Sequence, residues 1–346
     1  MGVVCCALVF GLAVVWVGSS AARSRASTAA VASTFVSAYP LDDASELDRY
    51  SLASGRRLGV LVHIPSLKPT TMTSSVSTPH LLGDGDYMLT VGHGELCGSS
   101  HGACHPVLNS CFSQVETVNP VTGKVQSLFT VSGAWRLLDA VPSPDGRSAA
   151  LVEGGCHGYA TRLRVRDLST GRSHLVTRQL SECGLESDVT WNPSSTKLVF
   201  AYGTHLNLDN LPAGCELATA KAADTLTTPA NWTTIRRRAS CGFDSTAFDA
   251  IGIVAIVGCT DKYDGIYSTL LQYNSKSQVV FHRALDSFDP PQYSLETQLE
   301  SDPLANTVLV SEIVTDDPDA SDVWTFNGTT LRHVYNWFGD DILAEP

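Results

Sequence analysis

The chain has 346 residues, with 35 acidic and 23 basic side chains, which gives a formal net charge of −12 at pH 7. Proteins that bind nucleic acid present a positively charged surface, and here the basic residues cluster only at Arg236-Arg237-Arg238. The charge balance therefore excludes nucleic acid as a partner. Arginine outnumbers lysine 17 to 6, a composition typical of GC-rich bacteria such as actinobacteria.

The N-terminus is apolar. Residues 3–17 carry no charge and are followed by small residues at 19–22. This run is short for a membrane span and has the pattern of a secretory signal. We predict that residues 1–22 are either a signal peptide cut after Ala22 or, since no Lys or Arg precedes the run, an uncleaved membrane anchor. Residues 23–46, rich in Ala, Ser and Thr, predict a tether, so that membrane contact is confined to the N-terminal segment.

A turn phrase recurs along the rest of the chain at intervals of roughly fifty residues. Its clearest copy is Ser143-Pro144-Asp145-Gly146, which is followed by an apolar run. Periods of this size indicate stacked units that cannot bury their apolar faces alone. The related turns are at Gly83 to Asp86, Asn192 to Ser195, Phe248 to Gly252 and Asp302 to Asn306.

A second series of turns follows the first at a fixed place in each unit. These positions hold Gly or a small polar residue, which tolerates positive φ. Each unit contains three or four short strands rich in Val, Leu, Ile, Tyr and Phe, so the sequence predicts an all-β fold. The second turns are Ser54-Gly55, Thr122-Gly123, Thr170-Gly171, Lys276-Ser277 and Gly328-Thr329.

The Ser-Pro-Asp-Gly turn and the later phrase Asp167-Leu168-Ser169-Thr170-Gly171-Arg172 resemble the TolB-type, WD-like β-propeller repeat, most clearly over residues 134–184. The resemblance implies a ring of four-stranded blades. The turn at Pro144 would join strands A and B, and the turn at Thr170-Gly171 would join strands C and D. The motif is structural and brings no catalytic residue with it. A single β-sandwich is the alternative fold, although it would not require this register between turns.

The ends of the repeat region set the blade number. Units begin near residues 80, 134, 185, 244 and 292, and residues 47–64 have the pattern of the outer half of one more blade. We expect residues 334–338 to supply inner strand material to that half, so that N- and C-terminal strands close the ring without a free edge. Six blades is the favoured number, with five or seven as alternatives, in one propeller domain over residues 47–346.

Eight cysteines lie beyond residue 22, and an even number in an exported chain favours disulfides over metal thiolates. In a propeller the B-to-C and D-to-A loops emerge on one face, where all eight are predicted. We favour two pairs, Cys156 with Cys183 and Cys215 with Cys241, each joining a B-to-C loop to the strand exit beside it. Such bridges stiffen loops that the sheets cannot order. The remaining four are left unassigned: Cys97, Cys104, Cys111 and Cys259.

Histidines accompany these cysteines. His93, His101 and His105 lie close together in the first long insertion, and His157 follows Cys156 directly. Closely spaced imidazoles bind zinc in many proteins, so the first three are metal candidates. Their segment has the pattern of a glycine-rich loop, in which a spacing of four residues does not bring side chains together as it would on a helix. We therefore predict neither a metal nor another cofactor. The loop face around His105 and His157 is predicted to bind a ligand, with no role assigned to either residue.

The motifs of common hydrolases and phosphate-binding loops are missing from the sequence. Acidic residues near strands A and B could face each other across an axial pocket, as glycosidases require. We interpret them instead as hydrogen-bonding residues between blades, and no catalytic residue is assigned. These acids are Glu153, Asp188, Asp244, Asp249 and Glu296.

Two functional hypotheses remain. The first is an exported or membrane-anchored module, outside the cytoplasm, that binds a protein, a peptide or a cell-envelope glycan through its disulfide-stiffened loop face. The second is a propeller enzyme, a hydrolase or lyase acting on a glycan or lactone in an axial pocket. The loops and cysteines gathered on one face favour the binding module.

Overall fold

The computed structural model describes the chain from residue 34 to residue 337, with gaps. Within the described residues the structure is all-β, with strands numbered β1 to β25 and no α-helix. The described residues are 34–40, 44–51, 57–65, 73–76, 79–82, 84–97, 104–105, 111–155, 161–178, 189–202, 216–225, 228, 231–236, 241–260, 266–285, 295–302, 307–314 and 321–337.

These strands form six antiparallel sheets in chain order. Sheet 1 consists of β1 (Thr34–Pro40), β2 (Ala44–Ser51) and β3 (Arg57–Pro65). In sheet 2, β6 (Tyr87–Cys97) pairs with β4 (Thr73–Val76), β5 (His80–Leu81), β7 (Cys104–His105) and β8 (Cys111–Val118), and β8 pairs with β9 (Val125–Gly133).

Sheets 3 to 6 each contain four consecutive strands, each paired with its chain neighbour. Sheet 3 consists of β10 (Trp135–Pro142), β11 (Ser148–Gly155), β12 (Thr161–Asp167) and β13 (Ser173–Thr177). Sheet 4 consists of β14 (Val189–Trp191), β15 (Lys197–Tyr202), β16 (Glu216–Lys221) and β17 (Thr233–Arg236). Sheet 5 consists of β18 (Cys241–Phe248), β19 (Gly252–Thr260), β20 (Ile266–Asn274) and β21 (Val279–Ala284). Sheet 6 consists of β22 (Leu295–Asp302), β23 (Thr307–Val314), β24 (Ser321–Phe326) and β25 (Leu331–Trp337).

The first strands of successive sheets are the inner ones. In sheets 3 to 6, β10 lies against β14, β14 against β18, and β18 against β22. The hydrophobic core fills the spaces between neighbouring sheets. Between sheets 3 and 4, for example, Leu163 packs in one cluster with Phe200 and Trp232, whose rings meet edge to face at 5.1 Å. Successive sheets from sheet 1 to sheet 6 therefore bury apolar faces against each other, as the repeat pattern predicts.

In sheets 3 and 5 short turns connect the first strand to the second and the third to the fourth, at the positions that the two sequence series mark. In sheet 4 the connection between β16 and β17 is longer, over residues 222–232. The backbone has positive φ at Gly146, which lies between β10 and β11, and at Gly171, which lies between β12 and β13 (67° and 70°). Ser277 has a φ of 59° at the corresponding place between β20 and β21. The prediction that the second series joins strands C and D in these sheets is confirmed.

An Asn or Asp side chain caps four of the turns between third and fourth strands, a feature that the sequence analysis did not use. The carboxylate of Asp167 accepts hydrogen bonds from the backbone N–H groups of Ser169 and Thr170. Asn119, Asn274 and Asn327 accept equivalent bonds before their own turns. Such Asx turns satisfy backbone donors locally, so each turn depends little on distant contacts.

Asp167 gives this cap a measurable pH dependence. The hydroxyl of Ser169, followed by the N–H of Thr170, lowers the pKa of Asp167 to about 2. A carboxyl whose pKa is depressed on folding stabilises the native state above its unfolded value of about 3.9, and this contribution is lost as pH falls toward 2. We expect an NMR titration of the Asp167 carboxyl carbon to give a midpoint near 2. A midpoint near 4 would contradict the capped geometry. Asp167→Asn, which keeps the acceptor oxygen, should leave the turn intact.

The C-terminal strand lies elsewhere than predicted. Residues 334–338 were expected to complete the N-terminal blade, but β25 pairs with β24 in sheet 6. The short Asn-capped turn at 327–330 explains this, because it returns the chain directly alongside β24. Among the described residues, sheet 1 contains N-terminal strands only, so the predicted closure by both chain ends is wrong for this segment. The sheets number six in the described part of the chain, and the blade number itself stays a prediction.

The N-terminal boundary also moves. β1 begins at Thr34, inside the segment 23–46 that was predicted as a tether, and pairs with β2 along its whole length. The aromatic and β-branched residues of Thr34-Phe35-Val36 favour a strand. Residues 1–22, the predicted signal or anchor, lie outside the described residues. No helix in the described part of the chain is long and apolar enough to span a membrane.

Candidate binding face at the loop end

The two ends of the sheets are built differently. In sheets 2, 3 and 5 the short capped turns lie at one end, which we call the turn end. The connections from the second strand to the third, and from each sheet to the next, leave from the opposite end, which we call the loop end. Five residues at strand ends mark the loop end: Cys97, Trp135, Gly155, Cys241 and Cys259.

A disulfide joins the two inner strands of sheet 5 at the loop end. Cys241 begins β18, and Cys259 lies next to the last residue of β19. The two residues are directly opposite in the antiparallel register, with 4.1 Å between their Cα atoms. Both are largely buried, at 9% and 8% exposed. The bridge therefore ties together the strand ends from which two connections of the loop end depart.

This bridge corrects one predicted pairing. Cys241 was expected to bond with Cys215, but its partner is Cys259. The prediction placed Cys241 in the connection before strand A, whereas the residue belongs to the strand itself. Adjacent antiparallel strands bring opposite residues within disulfide reach, and no loop has to fold across to meet them.

The other cysteines fall into two groups. Cys97 ends β6, Cys104 begins β7 and Cys111 begins β8, so these three lie at the loop end of sheet 2. Cys97 and Cys104 are register partners in the β6–β7 pair. Cys156, Cys183 and Cys215 lie outside the described residues, and the pair of Cys156 with Cys183 stays a prediction.

The candidate histidines are only partly placed. His93 lies on β6, with Ser74 and Phe112 as its register partners, and His105 lies on β7 opposite Leu96. His101 and His157 lie outside the described residues. In the part of the chain that the structure describes, no group of three or more His, Cys, Asp or Glu residues is arranged to hold a metal ion. The roles of His93, His101, His105 and His157 stay predictions.

A buried ion pair with an aromatic cover lies at the loop end of sheet 3. Glu153 on β11 and Arg162 on β12 are register partners, and the Arg162 Nε donates a hydrogen bond to a Glu153 carboxylate oxygen. The guanidinium of Arg162 stacks over the ring of Trp135, with 4.0 Å from Cζ to the ring centroid. The Glu153 side chain is 3% exposed, whereas that of Arg162 is 19% exposed. The positive charge of Arg162 thus compensates the buried carboxylate of Glu153, while the Arg162 side chain stays partly exposed to solvent.

Sequence reasoning named Glu153 but missed its two partners. The signal was present in the alternation Thr161-Arg162-Leu163-Arg164-Val165-Arg166, which places three arginines on one face of a strand. Leu163 and Val165, on the other face, enter the core between sheets 3 and 4. Pairing Arg162 with Glu153 required the strand register, which the sequence alone does not provide.

A second ionisable pair joins the inner strands of sheets 2 and 3. The Nε2 of His80 on β5 lies 3.0 Å and 3.2 Å from the two carboxylate oxygens of Asp139 on β10. The register of β10 shifts between Leu137 and Asp139, and such bulges re-aim side chains. The His80 side chain is 8% exposed and the Asp139 side chain 23% exposed. The pair therefore connects two neighbouring sheets.

Asp249, another of the acidic residues named from the sequence, caps a turn. One carboxylate oxygen accepts the N–H groups of Ile251 and Gly252, and the other accepts a hydrogen bond from the amide of Gln272. Glu153 and Asp249 therefore both have their carboxylates engaged within the protein. Asp188 lies outside the described residues, as do the side chains of Asp244 and Glu296.

Comparison with known proteins extends the fold description. No protein-family model matches the chain, and no curated protein sequence matches it. Similar solved structures include the periplasmic gluconolactonase of Pseudomonas aeruginosa, with a TM-score of 0.51, 13% identity and coverage of 88% of this chain and 82% of that chain. Hydrazine synthase of Kuenenia stuttgartiensis gives 0.50, 12% identity, and 82% and 71% coverage. The β-propeller domain of the Trilobed protease of Pyrococcus furiosus gives 0.40, 9% identity, and 75% and 70% coverage.

At 12 and 13% identity, the likenesses to hydrazine synthase and to the gluconolactonase show the fold alone. Antiparallel sheets of chain-consecutive strands, with their first strands side by side, are the arrangement of propeller blades. The protein is a β-propeller.

Proposed function

We propose that this protein is an exported or membrane-anchored binding module, which contacts a protein, a peptide or a cell-envelope glycan through the loop end. The observation that carries the proposal is the Cys241–Cys259 bridge between the inner strands, next to the connections that would form the contact surface. A surface whose supporting strands are fixed in advance loses less conformational entropy on binding. The loop end is stiffened in this way before any ligand arrives.

Export is supported by the same bond. Structural disulfides persist in oxidising compartments and are rare where glutathione keeps thiols reduced. The apolar segment 3–17 is consistent with passage to such a compartment. We therefore propose a location outside the cytoplasm, with the protein either secreted or held at the outer face of the membrane.

The stack of Trp135 and Arg162 supports a contact role for the same end. Both residues are partly exposed, and Trp and Arg are the residue types that most often dominate binding energy at interfaces. The hydrogen bond to the Glu153 carboxylate fixes the orientation of the Arg162 guanidinium before a partner binds. A partner with acidic or polar groups would find rigid, correctly oriented donors there.

Binding to purified cell-wall peptidoglycan and to an array of cell-envelope peptides tests the proposal. For any probe that binds, we expect the double variant C241S/C259S to weaken the affinity about tenfold or more, which is about 1.4 kcal/mol, because the loop end loses its preorganisation. Val121→Ser is the matched control, since Val121 is 78% exposed in a turn-end connection and should leave binding unchanged.

Three outcomes would contradict the proposal. They are binding to none of the probes, binding that Val121→Ser weakens while C241S/C259S does not, and catalytic turnover of a glycan or lactone by the purified protein. The last result would instead support the hydrolase or lyase hypothesis. Glucono-δ-lactone is the lactone to assay first, because one structure of similar fold is a gluconolactonase.

A further inference from the structure

Two cysteines face each other across a small hairpin at the loop end of sheet 2. Cys97 is the last residue of β6, and Cys104 is the first residue of β7. The antiparallel register makes them direct partners, with Leu96 and His105 as the adjacent pair. The intervening segment, Gly98-Ser99-Ser100-His101-Gly102-Ala103, is composed of small and polar residues.

Directly opposite residues in antiparallel strands have Cα atoms about 4.5 to 5.5 Å apart, and disulfides span about 4.4 to 6.8 Å between Cα atoms. The register of Cys97 and Cys104 therefore meets the backbone requirement for a bond without any rearrangement. Cys241 and Cys259 have the same antiparallel relation and are bonded. Moreover, Cys97 and Cys259 occupy similar places in the fold, because Cys97 is the last residue and Cys259 the next to last of the second main strand of its sheet.

We propose that Cys97 and Cys104 form a second cross-strand disulfide. The two thiols lose two protons and two electrons, one sulfur–sulfur bond forms, and the electrons reduce an exogenous disulfide, such as oxidised glutathione, to two thiols. The reaction proceeds through a mixed disulfide between one of the cysteines and the oxidant. The product closes a loop that contains His101.

The assignment goes beyond the proposed function and constrains the remaining sulfurs. With two bonds assigned, Cys111, Cys156, Cys183 and Cys215 are left, and four cysteines allow three connectivities. If Cys156 bonds with Cys183 as predicted, Cys111 and Cys215 become the last pair. Sheets 2 and 5 would each then carry a bridge between paired strands at the loop end.

Peptide mapping of the whole chain tests the bond without any substitution. The protein is produced in an oxidising compartment, unfolded in denaturant with N-ethylmaleimide to block free thiols, and digested with chymotrypsin before reduction. Cleavage after Leu96 and Leu108 releases residues 97–108, which contain both cysteines and no others. We expect this peptide to carry no maleimide and to gain the mass of two hydrogen atoms on reduction. A peptide alkylated at either cysteine, or linked to another cysteine peptide, overturns the proposal.

Thiol counting with variants provides an independent reading. C97S should free one reactive thiol, at Cys104, whereas C97S/C104S should free none. If the two residues bond elsewhere, the double variant frees two thiols on their actual partners, which also overturns the proposal. C241S is the matched control, because the observed bridge requires it to expose Cys259. Thiol counting reports only on the Cys97–Cys104 bond. A negative result there would not bear on the proposed binding function, which the binding assay tests separately.

Discussion

Replacing Arg162 with leucine is expected to lower the free energy of unfolding by about 3 kcal/mol, measured by urea denaturation. The substitution leaves the Glu153 carboxylate, which is 3% exposed, buried without its partner. Removing one member of a buried ion pair costs about 3 to 5 kcal/mol, because the other charge remains desolvated. The lower end of this range applies here, since the Arg162 side chain is 19% exposed and part of its charge is solvated.

The double variant E153L/R162L separates the loss of this pair from a simple loss of packing. Replacing both partners with apolar side chains removes the stranded carboxylate, so the double variant should be more stable than R162L alone. Arg164→Leu is the matched control on the same face of β12, because Arg164 donates a hydrogen bond to the neutral hydroxyl of Ser173. It should cost less than about 1 kcal/mol. Additive losses in the double variant would show that the pair is not coupled.

Phe200→Ala is expected to cost about 3 to 5 kcal/mol of unfolding free energy, the range for truncating a buried aromatic side chain. Phe200 is fully buried between sheets 3 and 4, and its ring meets that of Trp232 edge to face. The cavity would lie between two blades, so the variant removes contacts that both of them use. Urea denaturation, followed by circular dichroism, measures the loss.

Phe112→Ala makes the same chemical change on the surface, where the phenylalanine is 37% exposed. It should cost less than Phe200→Ala, about 1 to 2 kcal/mol, because more than a third of its surface stays in contact with water in the folded protein. Equal losses for the two variants would contradict the packing of sheet 3 against sheet 4. A smaller loss at Phe200 than at Phe112 would place the core elsewhere.

The sequence predicted the features of this fold that depend on local chemistry. Turns need residues that tolerate positive φ, and Gly146, Gly171 and Ser277 marked them correctly. The repeat interval then indicated sheets of consecutive strands. Local rules were sufficient here because these three turns satisfy backbone donors through a nearby Asn or Asp.

Features that depend on register were not accessible in this way. The predicted partner of Cys241 was wrong because Cys241 was assigned to a connection, whereas it lies in a strand. A strand position determines which residue lies opposite, and here that residue is Cys259. Arg162 and Trp135 meet because β10 pairs with β11 and β11 pairs with β12. Their separation in the sequence does not indicate this contact. The prediction also assigned the C-terminal strand to the wrong sheet. A tight hairpin between β24 and β25 closes a shorter loop than pairing with the N-terminal sheet, and it therefore costs less conformational entropy.

The order of strands along the chain bears on how the protein reaches its final state. Sheets 3 to 6 each use four consecutive strands and share their apolar clusters with chain neighbours. A polypeptide emerging from a ribosome or a secretion channel can therefore complete one blade at a time, each new blade docking on the one already made. Assembly in the direction of synthesis leaves unfinished apolar surface only at the two ends of the growing series of blades, which limits the opportunity for aggregation.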